Sequence, residues 1–407
     1  MKVLQVLGGG RWGGGCVVVG AYVTEMIRRG DEVWVICLDD AVERRFANAG
    51  ARTVRSPLWF HPINPFDVVP FLQLWWLCRR ERFDLVATHT SKGGFIGRLA
   101  AKAAGVRKIV HHAHGFAFRE TQARWIQRFY VELERIAARA CTLIISVSED
   151  HRRWGIRENL APAEKIVAVL NGIETDLFDR SSRHDARRKL GIETEDTLIG
   201  VASRLAPKKG IGDLIQAFTE IHRSYPHTRL ILVGEGPSRS ELEHQAKQAR
   251  VGNRIHFTGF LEDIPNVLAA FDIIVQPSIS EGLSISLLEA MAAGRPVVAC
   301  DITGNREVIA PGVSGILVPP SDPSALAAAI RLLLDDPKHA QELGAAAQAD
   351  CRTRFSQRRM VSEILGLYDH VAAGNQRFEP QTSPPALQDM RASSRPELLS
   401  MPTPPDP

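Results

Sequence analysis

Short apolar runs and amphipathic stretches alternate along the first 170 residues of the chain. Residues 2–7 (KVLQVL) predict a buried strand that leads into glycines at positions 8–10 and 13–15. Further strands are predicted at 32–38, 84–89, 108–115 and 142–148, and helices at 17–29, 66–82, 93–105, 119–140 and 148–155. Residues 167–178 (VAVLNGIETDLF) predict a short strand followed by an irregular connector. Because strands that alternate with helices form parallel sheets, this half predicts a doubly wound α/β domain.

A second alternating series begins after a connector near residues 171–195. Its predicted strands are 197–203, 229–236, 254–260, 272–278, 296–301 and 315–320. Its predicted helices are 212–226, 238–250, 266–272, 284–294, 322–336, 338–355 and 357–372. The sequence therefore predicts two Rossmann-like, doubly wound parallel-sheet domains, at 1–172 and 173–356. Residues 373–407 are rich in proline, serine and charge, and we expect a disordered tail there.

The composition is that of a soluble globular protein. The 407 residues are 44% hydrophobic and 24% charged, and the net charge of +4 gives no argument for binding nucleic acid. Six cysteines are scattered without metal-ligand spacing, as expected for reduced thiols of a cytoplasmic protein. No apolar run approaches the length of a membrane span, and glycines interrupt the N-terminal run too early for a secretion signal. We expect a cytoplasmic protein that at most lies on a membrane surface.

The stretch 272–294 carries the most informative chemistry. It predicts a buried strand, a loop with Glu281, and a helix that contains Glu289, with Ser284 as N-cap and Gly282 allowing close approach of a ligand. Helix N-terminal amides suit a phosphate, and carboxylates accept hydrogen bonds from sugar hydroxyls. Together they predict a nucleotide-sugar site. The alternative is an ordinary strand–loop–helix joint with two solvated glutamates.

Neighbouring strand ends of the second half carry further candidate residues. Arg204 and Lys209, with Lys208 adjacent, are placed to offset the charge of a diphosphate leaving group. Gly234 and Gly236 let a planar base lie against the backbone, and residues 257–260, ending in Phe260, can flank it. Each segment alone is an ordinary turn. Their repetition matters, because ligands of open α/β sheets bind at the carboxyl ends of the strands.

Histidines mark the strand ends of the first half. His111, His112 and His114 follow one another closely, but alternate side chains of a strand point to opposite faces, which disfavours a three-histidine metal site. We expect His114 to contact the sugar or acceptor, and His111 and His112 to be packed. His89 ends another strand, and Lys92 lies at the following helix start, where an acceptor diphosphate can bind.

The first glycine cluster leaves other functions open. Gly8, Gly10 and Gly13 form G-x-G-x-x-G after a strand, and Asp39 and Asp40 end the next strand, as in an NAD(P)-dependent oxidoreductase or epimerase. The loop could instead leave room for a bulky substrate, or bind no ligand. A non-catalytic nucleotide-sugar-binding protein is a third hypothesis.

Two segments mix aromatic and basic residues as bilayer-interface helices do. Residues 71–83 and 123–140 contain Trp75, Trp76, Arg79, Arg80 and Arg82, and Arg124, Trp125, Arg128, Phe129, Tyr130 and Arg135, respectively. The alternative is an amphipathic helix that packs inward. Nucleic acid is not expected, because no recognition module is present.

With these residues assembled, residues 1–372 resemble the retaining glycosyltransferases of family 4, which have the GT-B fold. The most specific feature is E-x7-E, here EGLSISLLE from Glu281 to Glu289. Arg204, Lys209, the glycine turn at 234–236 and the segment GILVPP support it. The stretches around His89 and His114 look most like bacterial enzymes of exopolysaccharide and lipid-linked oligosaccharide synthesis.

The resemblance implies a role for each matching position. Glu281 would bind donor-sugar hydroxyls and Glu289 the ribose, while Arg204 and Lys209 would offset the leaving-group charge and His114 would lie near the reacting carbon. The remaining donor contacts would be Gly234, Gly236, Phe260, Gly282, Leu283 and Ser284, and the acceptor contacts Gly10, Gly13, Gly14, His89 and Lys92.

It also implies the partners. The donor would be a nucleotide sugar, a UDP-sugar foremost, and the acceptor a sugar on a polyprenyl diphosphate at the inner face of the membrane. No cofactor or metal is expected, retention would proceed by front-face attack, and helix 357–372 would cross back to the first domain. Arg11 and Trp12 make the first glycine loop longer than in the family pattern.

Overall fold

Two parallel sheets form the framework of the computed structural model, which describes residues 1–8, 12–58, 65–115, 123–179, 182–192, 195–249 and 251–375. The first sheet has seven strands in the order β3-β2-β1-β4-β5-β6-β7. They are β1 (Lys2–Val6), β2 (Glu32–Cys37), β3 (Arg52–Arg55), β4 (Leu85–His89), β5 (Ile109–Ala113), β6 (Leu143–Ser146) and β7 (Ile166–Ala168). Within the described ranges, six helices connect these strands: α1 (Gly14–Arg28), α2 (Asp40–Asn48), α3 (Val68–Glu81), α4 (Ser91–Ala103), α5 (Arg124–Ala140) and α6 (Glu149–Arg157).

The second sheet has six strands in the order β10-β9-β8-β11-β12-β13. They are β8 (Thr197–Ala202), β9 (Thr228–Val233), β10 (Ile255–Gly259), β11 (Ile273–Gln276), β12 (Val297–Cys300) and β13 (Ile316–Val318). The helices of this half are α7 (Arg183–Lys189), α8 (Ile211–Ser224), α9 (Arg239–Gln248), α10 (Ile264–Ala269), α11 (Ile285–Ala292), α12 (Thr303–Arg306), α13 (Pro323–Asp335), α14 (Pro337–Arg354) and α15 (Gln357–Ala372).

Strand order reverses between β1 and β4 in the first sheet and between β8 and β11 in the second. Such a reversal opens a crevice at the carboxyl ends of the two strands, because their connections leave in opposite directions. The first glycine loop follows β1, and the segment with Lys92 follows β4. Arg204 follows β8, and Glu281 follows β11. The topology thus brings the predicted site segments to two switch points.

Alternation along the strands divides the first core into two layers. Val3 of β1 and Leu7, just after it, pack on the face covered by α1 and α15, and Leu4 and Val6 pack on the face that buries parts of α3, α4 and α5. Gln5 shares the first of these faces and is fully buried. A polar side chain in such a layer requires a hydrogen-bond partner.

The chain passes between the two halves at two adjacent segments. Ile173 donates its amide hydrogen bond to the Phe355 carbonyl (2.9 Å), and Gln357 donates to the Ile173 carbonyl (2.8 Å). A β-carbon on Gly172 would collide with the Ser356 carbonyl oxygen. Helix α15 then packs on the first core, through Met360, Ile364, Leu365 and Tyr368 among others. The predicted return of 357–372 to the first half is seen in this packing.

Four short elements were not predicted from the sequence: α2, β3, α7 and α12. Strand β3 is an edge strand whose two end residues are exposed, so its sequence RTVR lacks an apolar run. Helix α2 buries only Val42 and Phe46, too few for a strong helical period. The predicted tail lies outside the described residues from position 376 onward.

Among the described residues, no helix combines the length and the apolar character that crossing a membrane requires.

Candidate active site

The loop between β11 and α11 lies at the centre of the crevice. Ser284 occupies the predicted N-cap position of α11, but its side chain makes no capping hydrogen bond. The first-turn amides of the helix are therefore not satisfied by a cap, and they can serve an anionic ligand. Gly304 of α12 lies directly against this loop, since a β-carbon there would collide with the Gly282 carbonyl oxygen.

Glu281 forms an ion pair with Lys209, and both side chains are largely buried. The backbone holds the two together: Ile279 donates a hydrogen bond to the Lys208 carbonyl (2.9 Å). Gly210, with φ of 63°, approaches the Pro277 carbonyl so closely that a β-carbon would collide with it. The two residues named from separate strand ends therefore form one unit. Lys209 neutralises Glu281 in the absence of a ligand.

Arg204, the second predicted cation, is exposed on the segment that follows β8. Among the described residues it has no ion-pair partner, in contrast to Lys209. Its charge is available to an anion that enters the crevice.

The glycine turn after β9 is formed by close backbone approach. Gly234 has φ of 134°, and a β-carbon there would collide with the Ser203 carbonyl; one on Gly236 would collide with the Leu205 carbonyl. Beside this turn, the Phe260 ring is 60% exposed. The turn leaves a flat backbone edge next to an exposed aromatic ring, which suits a planar base.

Glu289 lies in the middle of α11, half-buried. Burial raises the pKa of its carboxyl from 4.5 to about 7. No cation of the described chain pairs with it. Such a carboxyl is costly to ionise, and hydrogen bonds donated by ligand hydroxyls would stabilise its ionised form.

The first half meets this loop from the other side of the crevice. A β-carbon on Gly282 would lie 2.8 Å from the His114 carbonyl oxygen and 2.8 Å from His151 Cε1. One on Gly14, at the start of α1, would lie 3.1 Å from Ile285 at the start of α11. The N-termini of two helices, one from each half, thus converge where His114 and the E-x7-E motif meet.

Two further cross-contacts were not predicted from the sequence. The Glu307 carboxylate accepts hydrogen bonds from the Glu149 amide (2.8 Å) and the Asp150 amide at the start of α6. The Asn171 amide donates to the Leu283 carbonyl (3.1 Å). These partners are more than one hundred residues apart in the chain, so no local pattern could have indicated them.

A third cross-contact links the helix α2 with the second half. Arg45 pairs with Glu262 at 2.7 Å, and its guanidinium lies 4.6 Å from the centre of the Trp12 ring. Trp12 in turn packs against Phe46. The unusual aromatic residue of the first glycine loop is thereby fixed at the crevice.

The histidines divide between the two faces of the first sheet. His111 bonds to Thr88 (3.0 Å) on one face, while His112 bonds to the Tyr368 hydroxyl (2.8 Å) on the other. Both are buried, as predicted for packed residues. His114 is partly exposed, and burial lowers its pKa to about 4. Neutral imidazoles at these positions do not repel one another.

Not all of the residues predicted to contact the acceptor are open to the crevice. His89 is 1% exposed and lies behind His114, so its ring supports His114 and does not line an open surface. Lys92 pairs with Asp67 at 2.6 Å. Gly13 and Gly14 form the start of α1. Gly10 lies outside the described residues.

Thr90 joins β4 to α4 in a strained conformation, with φ of 61° and ψ of 169°. Such backbone is almost restricted to glycine, and strained residues cluster at functional sites. Gly8 packs against the Thr90 hydroxyl so closely that a β-carbon on Gly8 would collide with it.

The residues suggested for an NAD(P) site have other partners. The Asp39 carboxylate caps α2, accepting from the Ala41 and Val42 amides, and Asp40 pairs with Arg55 at 2.5 Å. These acids are not free at the strand end to hold a ribose. Within the described chain, no group of three or more histidine, cysteine, aspartate or glutamate side chains is placed to hold a metal ion.

The two aromatic and basic segments expose much of their apolar surface. Helices α3 and α5 flank α4 on one face of the first sheet. Their exposed large apolar residues, with the turn before α3, are Phe66, Val68, Val69, Leu72, Trp76, Trp125, Phe129 and Ile136. Trp125 is 73% exposed and Trp76 is 52% exposed. Inward packing, the alternative given above, holds for Leu74 and Leu77 but not for these residues.

Two family models match the chain, one on each half. Residues 182–350 match glycosyl transferases group 1, and residues 12–177 match Glycosyltransferase Family 4. A putative glycosyltransferase EpsD of Bacillus subtilis is 30% identical over 319 residues, covering 77% of this chain and 83% of its own. The UDP-Gal:alpha-D-GlcNAc-diphosphoundecaprenol alpha-1,3-galactosyltransferase of Escherichia coli is 30% identical over 275 residues, covering 66% of this chain and 71% of its own.

Solved structures share the two-domain architecture. HepE of Anabaena, crystallised with UDP and glucose, aligns with a TM-score of 0.79 and 25% identity over 91% of this chain and 99% of that chain. WaaG, a glycosyltransferase of lipopolysaccharide biosynthesis, aligns with a TM-score of 0.74 over 90% of this chain and 99% of that chain, at 18% identity, which supports the fold alone. The predicted arrangement of two facing α/β domains, the GT-B fold, is confirmed.

Proposed function

The chain belongs to the glycosyltransferases of family 4, and we propose that it transfers a sugar from a nucleoside-diphosphate sugar to a lipid-linked carbohydrate, with retention of configuration. The observation that carries this proposal is the crevice between the two sheets. There, Glu281 with Lys209, the uncapped start of α11, and His114 come together.

The donor binds on the second half. The Glu281 carboxylate accepts hydrogen bonds from sugar hydroxyls, and the amides of Gly282, Leu283 and Ser284 donate to the diphosphate. Glu289 holds the ribose hydroxyls, which offset the cost of ionising its buried carboxyl. The base lies along Gly234 and Gly236, next to Phe260. A UDP-sugar is favoured because HepE, a relative in fold and sequence, was crystallised with UDP and with UDP-glucose.

Two cations stabilise the leaving nucleoside diphosphate. Arg204 is exposed and without an ion-pair partner among the described residues, so it can move onto the phosphates. Lys209 exchanges part of its interaction with Glu281 for the phosphate nearest the sugar. With this positive charge supplied by the protein, the reaction proceeds without a bound metal.

The configuration of the transferred sugar is retained because the acceptor hydroxyl attacks the sugar from the same face that the phosphate leaves. Glu281 is neutralised by Lys209, an arrangement that suits hydrogen bonding to sugar hydroxyls better than nucleophilic attack. The acceptor hydroxyl therefore approaches on the same face as the departing phosphate, which takes its proton. Closure of the two halves over the donor excludes water and limits hydrolysis.

The acceptor is a sugar carried on a polyprenyl diphosphate at the inner membrane face. The name of the Escherichia coli relative specifies such an acceptor, an undecaprenol-linked sugar. The exposed apolar residues of α3 and α5 form a surface that can enter a bilayer interface, with Arg79, Arg80, Arg124 and Arg128 to contact anionic headgroups. The protein would lie on the membrane through this face of its first half.

Thermal shift against a panel of nucleoside diphosphates and nucleotide sugars tests the donor site. A ligand at one hundred times its dissociation constant stabilises the folded state by about 2.7 kcal/mol. UDP and at least one UDP-sugar should raise Tm, and Arg204→Met should reduce that rise. A rise with NAD(H) and none with any nucleoside diphosphate would contradict the proposal.

Flotation with liposomes tests the membrane face. The double variant Trp76→Ser and Trp125→Ser should float less with anionic liposomes than the unmodified protein does. Leu332→Ser, which removes an exposed apolar residue of α13 in the second half, is the matched control. Equal flotation of the double variant and the control would show that α3 and α5 do not contact lipid.

A further inference from the structure

A buried chain of hydrogen bonds leads from the first strand to His114. Gln5 Oε1 lies 2.9 Å from His89 Nε2, and His89 Nδ1 lies 3.1 Å from His114 Nε2. Gln5 and His89 are fully buried, whereas His114 is partly exposed. The chain therefore connects the interior of the first sheet with a side chain of the crevice.

The Gln5 amide determines which ring nitrogens of His89 and His114 are protonated. An amide oxygen only accepts hydrogen bonds, so His89 must carry its proton on Nε2. Burial and the neighbouring histidines hold the pKa of His89 well below its usual range, so the ring is neutral and Nδ1 is an acceptor. His114 must then donate from Nε2, which leaves a lone pair on its Nδ1.

The orientation of the Gln5 amide is supported on its other side. Its Nε2 points to the Met26 sulfur at 3.8 Å. A thioether sulfur is a weak acceptor, so a flipped amide would place oxygen against sulfur without a hydrogen.

We propose that Gln5 is a positioning residue of the site: through His89 it fixes His114 in the tautomer that presents an unprotonated Nδ1 to a substrate hydroxyl. This inference rests on the proposed glycosyl transfer for the identity of that hydroxyl as one of a sugar. Nδ1 lies on the side of Gly15, at the first turn of α1, where a β-carbon would be 4.0 Å away. No described residue hydrogen-bonds to this nitrogen.

Gln5 is decisive because the other neighbours of His89 do not specify a tautomer. The Tyr22 hydroxyl, 3.3 Å from His89 Nε2, can donate or accept. His112 stacks on His89 at 4.8 Å between ring centroids and bonds to Tyr368. Without the amide oxygen, His89 and His114 could both reverse.

The first test is made on the unmodified protein without substrate. Long-range ¹H–¹⁵N correlation spectra of protein labelled on histidine distinguish the two tautomers and the imidazolium, and His114→Gln assigns the signals of His114. We expect protonated Nε2 and unprotonated Nδ1 at pH 7.5. A protonated Nδ1 on His114 would overturn the proposal without any variant at Gln5.

The second test replaces the acceptor with a group that can bring a proton. In Gln5→Glu the buried pair with His89 retains one extra proton, because a lone buried carboxylate is costly. If the extra proton is on His89, both ring nitrogens of His89 are protonated and its Nδ1 donates to His114. If the proton is on the carboxyl introduced by Gln5→Glu, the carboxyl donates to His89 Nε2, so the neutral His89 carries its own proton on Nδ1 and again donates to His114. Either way the His114 tautomer should invert. The unchanged tautomer would overturn the proposal.

Thr88→Val is the matched control. It removes a hydroxyl–histidine hydrogen bond from the same strand, but on the opposite face and toward His111. We expect no change in the His114 signals or in turnover for this variant. In Gln5→Glu, kcat should fall roughly tenfold, the effect of one well-placed hydrogen bond, with little change in UDP affinity.

The outcomes separate the two proposals. The tautomer is measured on the free protein, so it stands even if no sugar is transferred. If the His114 tautomer is reversed in Gln5→Glu and this variant still transfers sugar at the full rate, Gln5 has no role in the reaction, but the proposed function stands.

Discussion

Replacing Glu289 with glutamine should stabilise the ligand-free protein above neutral pH and at the same time weaken nucleotide binding. Glu289 is half-buried in α11 and has no cationic partner among the described residues. Its carboxyl titrates near 4.5 in the unfolded chain and, because of burial, near 7 in the folded protein. Glutamine keeps the shape and removes the ionisation.

The sign and size of the stability change follow from the difference in the Glu289 pKa between the folded and unfolded states. Between pH 4.5 and 7 the folded protein holds the proton more tightly than the unfolded chain, so stability falls as pH rises through this window. A difference of 2.5 pKa units at 1.36 kcal/mol each corresponds to about 3 kcal/mol once the carboxyl is ionised. Glu289→Gln should therefore gain up to about 3 kcal/mol relative to the unmodified protein at pH 8, and almost nothing at pH 4.5.

Thermal unfolding at pH 5 and pH 8 measures the effect. Each kcal/mol corresponds to about 2–4 °C in Tm for a domain of this size, so the difference should reach several degrees at pH 8. Glu342→Gln, an exposed position on α14, is the matched control and should show no such change with pH. Identical pH profiles for Glu289→Gln and the unmodified protein would refute the raised pKa of the Glu289 carboxyl in the folded protein.

Nucleotide binding should respond in the opposite direction. Ribose hydroxyls donate to the ionised carboxyl, so UDP binding lowers the pKa of Glu289 and releases a proton near pH 7. Calorimetry in buffers of different ionisation enthalpy measures that proton. Its release should vanish in Glu289→Gln, and UDP affinity should fall.

Two other predictions concern the contacts across the crevice. Gly282→Ala places a methyl group 2.8 Å from the His114 carbonyl oxygen, and this variant should lower turnover strongly at nearly unchanged Tm. Gly366→Ala, whose methyl group would meet nothing within 4 Å, should leave turnover unchanged. The Arg45–Glu262 pair is exposed, so a double-mutant cycle with Arg45→Met and Glu262→Gln should give a coupling energy of at most about 1 kcal/mol, reduced by 0.5 M salt. A larger, salt-independent coupling energy would show that the pair is shielded from solvent.

The framework was largely predictable because both sheets are parallel and covered on both faces. Their strands are nearly continuous apolar runs, and the helices between them carry a regular apolar stripe. Edge strand β3 and helix α2 lack those signals and were missed. The placement of Arg204, Lys209, Glu281 and Glu289 was also predictable, since all four follow strands that meet at one edge.

The supporting contacts could not be predicted in the same way. Glu307 and Asn171 act on residues far away in the chain, and their partners are backbone amides and carbonyls, which carry no sequence signal. The sequence shows Gln5 as the one polar residue between Val3 and Leu7, but it does not show that His89 is its hydrogen-bond partner. Lys92 was predicted to bind an acceptor diphosphate, and only the structure shows its ion pair with Asp67.

Sugar transfer that depends on Glu281 can be measured directly. Radiolabelled UDP-sugar is incubated with a polyprenyl-diphosphate-linked sugar and either the unmodified protein or Glu281→Ala, and the label in the lipid fraction is followed with time. The unmodified protein should transfer the label, and Glu281→Ala should do so at least about a hundredfold more slowly at an unchanged Tm. Transfer by Glu281→Ala at nearly the normal rate would show that Glu281 does not take part in the reaction.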